Sequence, residues 1–113
     1  MSQIKTTRNY RIAELIQIVI SDVLKKEVHD PRLSSANVTD VDLSPDSKNA
    51  TVYFSLLHAD EKNILAAEKA FEKANKFFRF QLSRMTELRH TPKLIFQYDR
   101  TIDTGERISR LLK

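Results

Sequence analysis

Residues 61–88, EKNILAAEKAFEKANKFFRFQLSRMTEL, decide how the chain folds. Ile64, Ala67, Phe71, Ala74, Phe78, Leu82 and Met85 recur three or four apart, which is the apolar stripe of a helix. No glycine or proline interrupts the 28 residues. Drawn as one rod they span roughly 42 Å at 1.5 Å per residue. A compact domain of this size has a radius of gyration of about 13 Å. The stretch is therefore expected to bend, at Ala74-Asn75-Lys76. Ala74 is small enough for two arms to pack closely, and the short polar side chain of Asn75 can cap a new helical segment.

The same stretch concentrates charge. From Lys69 to Lys93 there are seven basic residues (Lys69, Lys73, Lys76, Arg79, Arg84, Arg89, Lys93) against Glu72 and Glu87, a sum of +5. Residues 1–26 sum to +3 and residues 27–61 to −5, within a net charge of +4. A surface polarised in this way can steer a polyanion onto one side. Lys69, Lys73 and Lys76 project from neighbouring parts of one helical face, and Arg79 and Arg84 continue it. Lysine offers a compact charge to a phosphate and arginine a two-pronged one. Phe77 and Phe80 lie off the main apolar stripe. They either stack on unpaired bases or widen the buried arc, and burial is the expectation.

Outward from this stretch, residues 1–8 read as a flexible start. A helix begins at Arg8 or Asn9, with Ile12, Leu15, Ile16, Val19, Val23 and Leu24 as its stripe, widened by Ile18 and Ile20. The stripe ends near Val28, and Asp30-Pro31 ends the helix, because the residue before a proline is pushed away from helical angles. In SSANVTDVDLS, Ala36 and Val38 hold one phase and Val41 and Leu43 the other, which predicts a bulge near Thr39-Asp40 or a strand only half in the sheet. Ser44-Pro45-Asp46-Ser47 reads as a turn. Ala50, Val52, Phe54 and Leu56 alternate with polar partners in a second strand, making a hairpin. Asp60 is the expected N-cap of the long helical stretch. Leu94, Phe96 and Tyr98 mark a third strand after Pro92. Asp103-Thr104-Gly105-Glu106 resembles a capping box before a short helix through Ile108, Leu111 and Leu112. The order is α-β-β-α-kink-α-β with a short C-terminal helix. It predicts an α+β domain over 1–113, with a three-stranded mixed sheet and helices on one face.

The length allows one domain, and 41% hydrophobic residues allow one modest core. There is no cysteine, hence neither disulfide nor thiolate ligand. No apolar run approaches the roughly 20 residues of a bilayer span. The first residues lack the apolar stretch and cleavage site of a secretory leader, so a cytoplasmic chain is expected. His29, His58 and His90 have no ligand spacing. Asp40 and Asp42 share a strand face, where two carboxylates are more often solvated than chemical. One glycine, Gly105, excludes a glycine-rich phosphate loop. The expectation is a non-enzyme without cofactor or metal.

At this point the chain resembles the ribosome-binding factor A family. The likeness rests on the opening helix with Arg8 and Arg11, on Asp30-Pro31-Arg32, on AxxxANKFFRFQL (Ala70 to Leu82), on LRHTPKLIFQYD (Leu88 to Asp99), and on Gly105-Glu106-Arg107-Ile108. It implies a KH-like domain of the second topological type. Its helix–kink–helix centres on a small residue, Ala74, followed by Asn75. Many relatives carry glycine where this chain has Lys76. The resemblance also implies a monomeric factor that binds 16S rRNA in the immature small ribosomal subunit. Such a factor assists maturation, including processing of the precursor's 5′ end, and is linked to cold-shock adaptation. Arg79, Arg89 and Arg107 match basic positions of the family pattern, and RNA contact is carried most readily to Arg79, while Arg107 either touches RNA or pairs locally. Arg8 and Arg11 of the opening helix are further candidate contacts, and Lys69, Lys73, Lys76 and Arg84 are assigned from charge and helix geometry. Arg89 either touches RNA or ties the helix end to Asp99. The competing reading is a protein-interaction module that uses the open sheet face or the acidic edge at Asp40, Asp42 and Asp46.

Overall fold

A computed structural model of the chain describes residues 5–101. The expected helix after Asp103, with Arg107, lies outside the described residues. Helix α1 spans Thr7–Glu27, β1 Asn37–Leu43, β2 Asn49–Ser55, α2 Glu61–Met85 and β3 Lys93–Tyr98; a 3-10 turn, Pro31–Leu33, lies between α1 and β1. The strands form one sheet in the order β1-β2-β3, antiparallel between the first two and parallel between the last two. The long crossover through α2 permits the parallel pair. The register of β1 on β2 shifts between Val38 and Asp40. This is the bulge that the change of phase at Thr39 predicts.

Each helix starts where a side chain can take up an orphan backbone donor. Asp60 accepts from the Asn63 amide at 2.7 Å, as expected of the cap of α2. Thr6 caps α1 in a reciprocal box with Asn9, so α1 starts slightly earlier than its apolar pattern implies.

Both helices lie on one face of the sheet. Ala50, Val52 and Phe54 of β2 and Leu94, Phe96 and Tyr98 of β3 point into that side and are buried. Thr51, Tyr53 and Ser55 alternate with the β2 set toward the other face, as Ile95 and Gln97 do with the β3 set, and Ile95 is half exposed. Phe71 joins the layers: its ring stacks on Phe96 with centroids 4.5 Å apart and meets Phe54 at 4.7 Å. On α1, Ile20 is buried as expected. Ile18 is 61% exposed, because it faces away from the sheet and widens nothing.

The helix–kink–helix expectation needs correction in one respect. No second arm begins at Ala74-Asn75; α2 is an unbroken α-helix of 25 residues. At 1.5 Å per residue it is about 37 Å long. The molecule measures 38 × 34 × 20 Å, long enough in one direction to hold the whole helix. Asn75 sits inside a continuous helix and starts no new segment.

Asn75 has a different task. Its Nδ2 donates to the Leu94 carbonyl at 2.9 Å. Glu68 Oε2 accepts from the Tyr98 amide at 3.4 Å, and Arg79 donates to the carbonyls of Pro92 and Thr91 at 3.2 and 3.1 Å. Lys93 and Asp99 give their amides to Lys48 and Phe54 on the β2 side. The even-numbered residues of β3 therefore turn backbone groups outward, and side chains of α2 bond two of them, Leu94 and Tyr98, together with the Pro92 carbonyl just before the strand.

Candidate nucleic-acid interface

The basic residues of α2 fall into two sets. At about 100° per residue, Lys69, Lys73 and Lys76 lie within about 60° of one another, opposite the buried stripe, with Arg84 close to the same line. All four are exposed. Arg79 lies about 60° beyond Lys76, toward β3. Its guanidinium is engaged by the Thr91 and Pro92 carbonyls, so it fixes the segment before β3 as well as carrying charge.

Arg79 instead belongs to a groove of ≈ 950 Å³. Four segments line it: the start of α1 (Arg8), the β1–β2 turn (Lys48), the last third of α2 (Arg79), and the α2–β3 connection with the first residue of β3 (Arg89, Lys93). Asp46 and Glu87 are the acids of its lining. Sheet topology brings these cations together. Asn49 is in register with Lys93, and the Lys93 amide donates to the Lys48 carbonyl at 2.9 Å. Asn9 supplies the other wall. It is 5% exposed, and its Nδ2 donates to the carbonyls of Ser44 and Pro45 and to Ser47 Oγ at 3.1–3.3 Å. Ser47 is held at φ 62°, in the left-handed region, and its amide closes the predicted turn on the Ser44 carbonyl. Asp46 accepts from Ser44 Oγ and the Lys48 amide, which hold its carboxyl below the usual range.

Of the residues read from the sequence, Arg8, Arg79 and Arg89 meet in the groove. Lys69, Lys73, Lys76 and Arg84 occupy the outward face of α2. Arg11 is exposed on α1 and does not line the groove. Lys48 and Lys93 were missing from the candidate contacts. Lys48 stands alone in an acidic segment, and the parallel pairing that brings it to Lys93 is a long-range event. Asp99 is buried and accepts from Thr39 Oγ1 at 2.7 Å and from the Thr101 amide at 3.1 Å. The acidic edge of the competing reading has local partners: Lys5 pairs with Asp42, Asp40 accepts from the Val41 amide, and Asp46 serves its turn. Phe77 and Phe80 correct an expectation, being 39% and 62% exposed.

Asp30-Pro31-Arg32 lies beside this surface. Asp30 caps the 3-10 turn and takes two bonds from the Arg32 guanidinium, at 3.0 and 2.7 Å. Its carboxyl falls from 3.8 to about 2, chiefly through the Arg32 side chain, then the Arg32 amide, with a minor contribution from Lys73. A depressed carboxylate stabilises the fold above its unfolded value and loses that effect as pH falls. The stability difference between wild type and Asp30→Asn should therefore be full above pH 3.8 and shrink between 3.8 and about 2 in urea titrations across that range. A difference that stays constant through the window would show that the ionised pair contributes nothing.

Among the described residues, no group of three or more His, Cys, Asp and Glu side chains is placed to hold a metal ion. No described helix is long and apolar enough to cross a membrane.

The ribosome-binding factor A profile matches residues 8–112. The ribosome-binding factor A of Coxiella burnetii is 43% identical over 106 residues, covering 94% of this chain and 87% of that protein. The crystal structure of ribosome-binding factor A from Thermus thermophilus superposes with a TM-score of 0.71 at 23% identity, over 80% of this chain and 93% of that one. A homology model of the Thermus thermophilus protein, fitted into the cryo-EM map of a 30S–RbfA complex, gives 0.65 at 25% identity, over 78% and 91%.

Proposed function

The chain belongs to the ribosome-binding factor A family, and from that premise we propose that it is a non-catalytic assembly factor that binds 16S rRNA in the immature small ribosomal subunit. The observation that carries the reading is the groove, where Arg8, Lys48, Arg79, Arg89 and Lys93 converge from four segments. A wall that holds five cations within a small fold is built for phosphates rather than for one small anion. Arg79 and the Lys48–Lys93 backbone bond keep this wall in place before any ligand arrives, which limits the ordering cost of binding. The outward face of α2 extends the cationic surface. The protein acts as a monomer in the cytoplasm, holds immature rRNA in one arrangement, assists 5′-end processing of the precursor and then leaves.

Lys48→Glu combined with Arg89→Glu tests the groove, since neither side chain supports the core. Charge-assisted contacts contribute about 1.5–3 kcal/mol each. Cosedimentation with small subunits should weaken at least about tenfold, and the slope of log K against log salt should fall by about two. Unchanged attachment at low and moderate salt would remove the groove from the interface.

The open sheet face, with Ile95 half exposed, supports a second reading, a protein-docking module. Attachment to the subunit that survives ribonuclease and ignores the groove charges would favour it.

A further inference from the structure

Phe80 stands where a helix normally places polar side chains. It projects opposite the sheet, at 62% exposure, and Phe77 beside it is 39% exposed. A single exposed ring on a protein surface needs no explanation. Two rings set among cations on the outward face of a rigid helix do. Lys76 precedes Phe80 by four residues and Arg84 follows it by four, while Phe77 is three before it and Lys73 four before Phe77, so all five are surface neighbours.

Phe77 is held from below. The Phe77 ring meets Phe78 edge-on at 6.5 Å, and Phe78 is fully buried against Phe71 and Phe96. Arg84 Nε donates to Oε1 of the buried Gln81 at 3.2 Å, which holds the guanidinium on this side of the helix. The rim is cationic. Asp30, which lies near Lys73, is engaged by Arg32, and Glu72 lies about 12 Å back along the axis from Phe80.

A protein partner that buried these rings would also have to bury lysines. An RNA duplex keeps its base faces stacked inside. A single strand offers both a bare π-face and phosphates. Resting on the RNA-binding reading above, we propose that Phe80, with Phe77 beside it, is a stacking platform for an unpaired base of single-stranded RNA whose flanking phosphates lie against Lys73, Lys76 and Arg84. This surface is separate from the groove, which reads phosphates alone.

The test uses the full chain with two RNA probes, a single-stranded hexamer carrying 2-aminopurine at its centre and a blunt 12-base-pair duplex. Wild type should bind the hexamer and quench the 2-aminopurine. Phe80→Ala should weaken hexamer binding about tenfold and abolish the quench, with duplex binding changed less than about twofold. Phe80→Tyr should retain both signals, and because the ring is exposed both variants should melt as wild type does. Wild-type affinity and quench in Phe80→Ala would overturn the proposal, as would failure of the wild type to bind the hexamer. Weaker attachment of Phe80→Ala to small subunits with unchanged hexamer binding would also overturn it, and would assign the ring to a protein contact. If the wild type fails to attach to small subunits while Phe80→Ala still loses the hexamer, the assembly reading falls and the platform stands.

Discussion

Phe71→Ala is expected to leave the domain barely folded. Phe71 is fully buried, stacked on Phe96 and in contact with Phe54 and Phe78, so one ring couples α2 to both β2 and β3. Truncating a buried phenylalanine costs about 3–5 kcal/mol, part lost transfer and part cavity. The surrounding rings belong to different elements and cannot all move inward to fill the space. A domain of this size has about 5–15 kcal/mol of stability in total. The midpoint of thermal unfolding should drop by on the order of 15 °C, read by circular dichroism. A cost below about 1 kcal/mol would show that the four rings do not pack as one cluster.

Asn9→Ala should have the next largest effect, and for a polar reason. The Asn9 Oδ1 accepts from the Thr6 amide at 2.8 Å and from the Thr6 hydroxyl at 2.9 Å, while Nδ2 donates to Ser44, Pro45 and Ser47. The substitution removes half of a capping box and the donor that serves two turn carbonyls. A lost cap costs about 1 kcal/mol, and an unsatisfied buried polar group about 1–3. About 2–4 kcal/mol is expected in urea unfolding. Asn9→Asp separates the two roles, since a carboxylate still accepts from Thr6 but cannot donate to Ser44 and Pro45. It should be at least as destabilising as alanine at neutral pH. A nearly neutral Asn9→Ala would mean that α1 and the β1–β2 turn do not depend on this link. Because the same link aligns Arg8 with Lys48, binding to small subunits should weaken in both variants.

Local rules made most of the fold legible. The Asp60 cap, the bulge at Thr39, the Ser44–Ser47 turn and the three alternating strands each follow from a few adjacent residues. The parallel placement of β3 was expected on the condition that it neighbours β2, and it does. The misreadings share a cause. Asn75 carries the same amide whether it caps a helix or bonds a strand, and only the position of β3 decides. Ile18, Phe77 and Phe80 look like core because they are apolar, yet the sheet lies on the other side. The groove was half visible. Arg8, Arg79 and Arg89 stood out through the resemblance to the family, whereas Lys48 and Lys93 become neighbours only when strands 44 residues apart in register pair.

The side chains that bond the outward backbone of β3 have one more implication. Glu68 and Asn75 occupy positions that the backbone of an incoming strand would need, and Arg79 covers the segment just before β3. An extended peptide, or the strand of a second copy, cannot lengthen the sheet there without displacing them. The opposite rim is β1, where the bulge interrupts a regular ladder. Both rims of the sheet are thereby poor templates for a further strand.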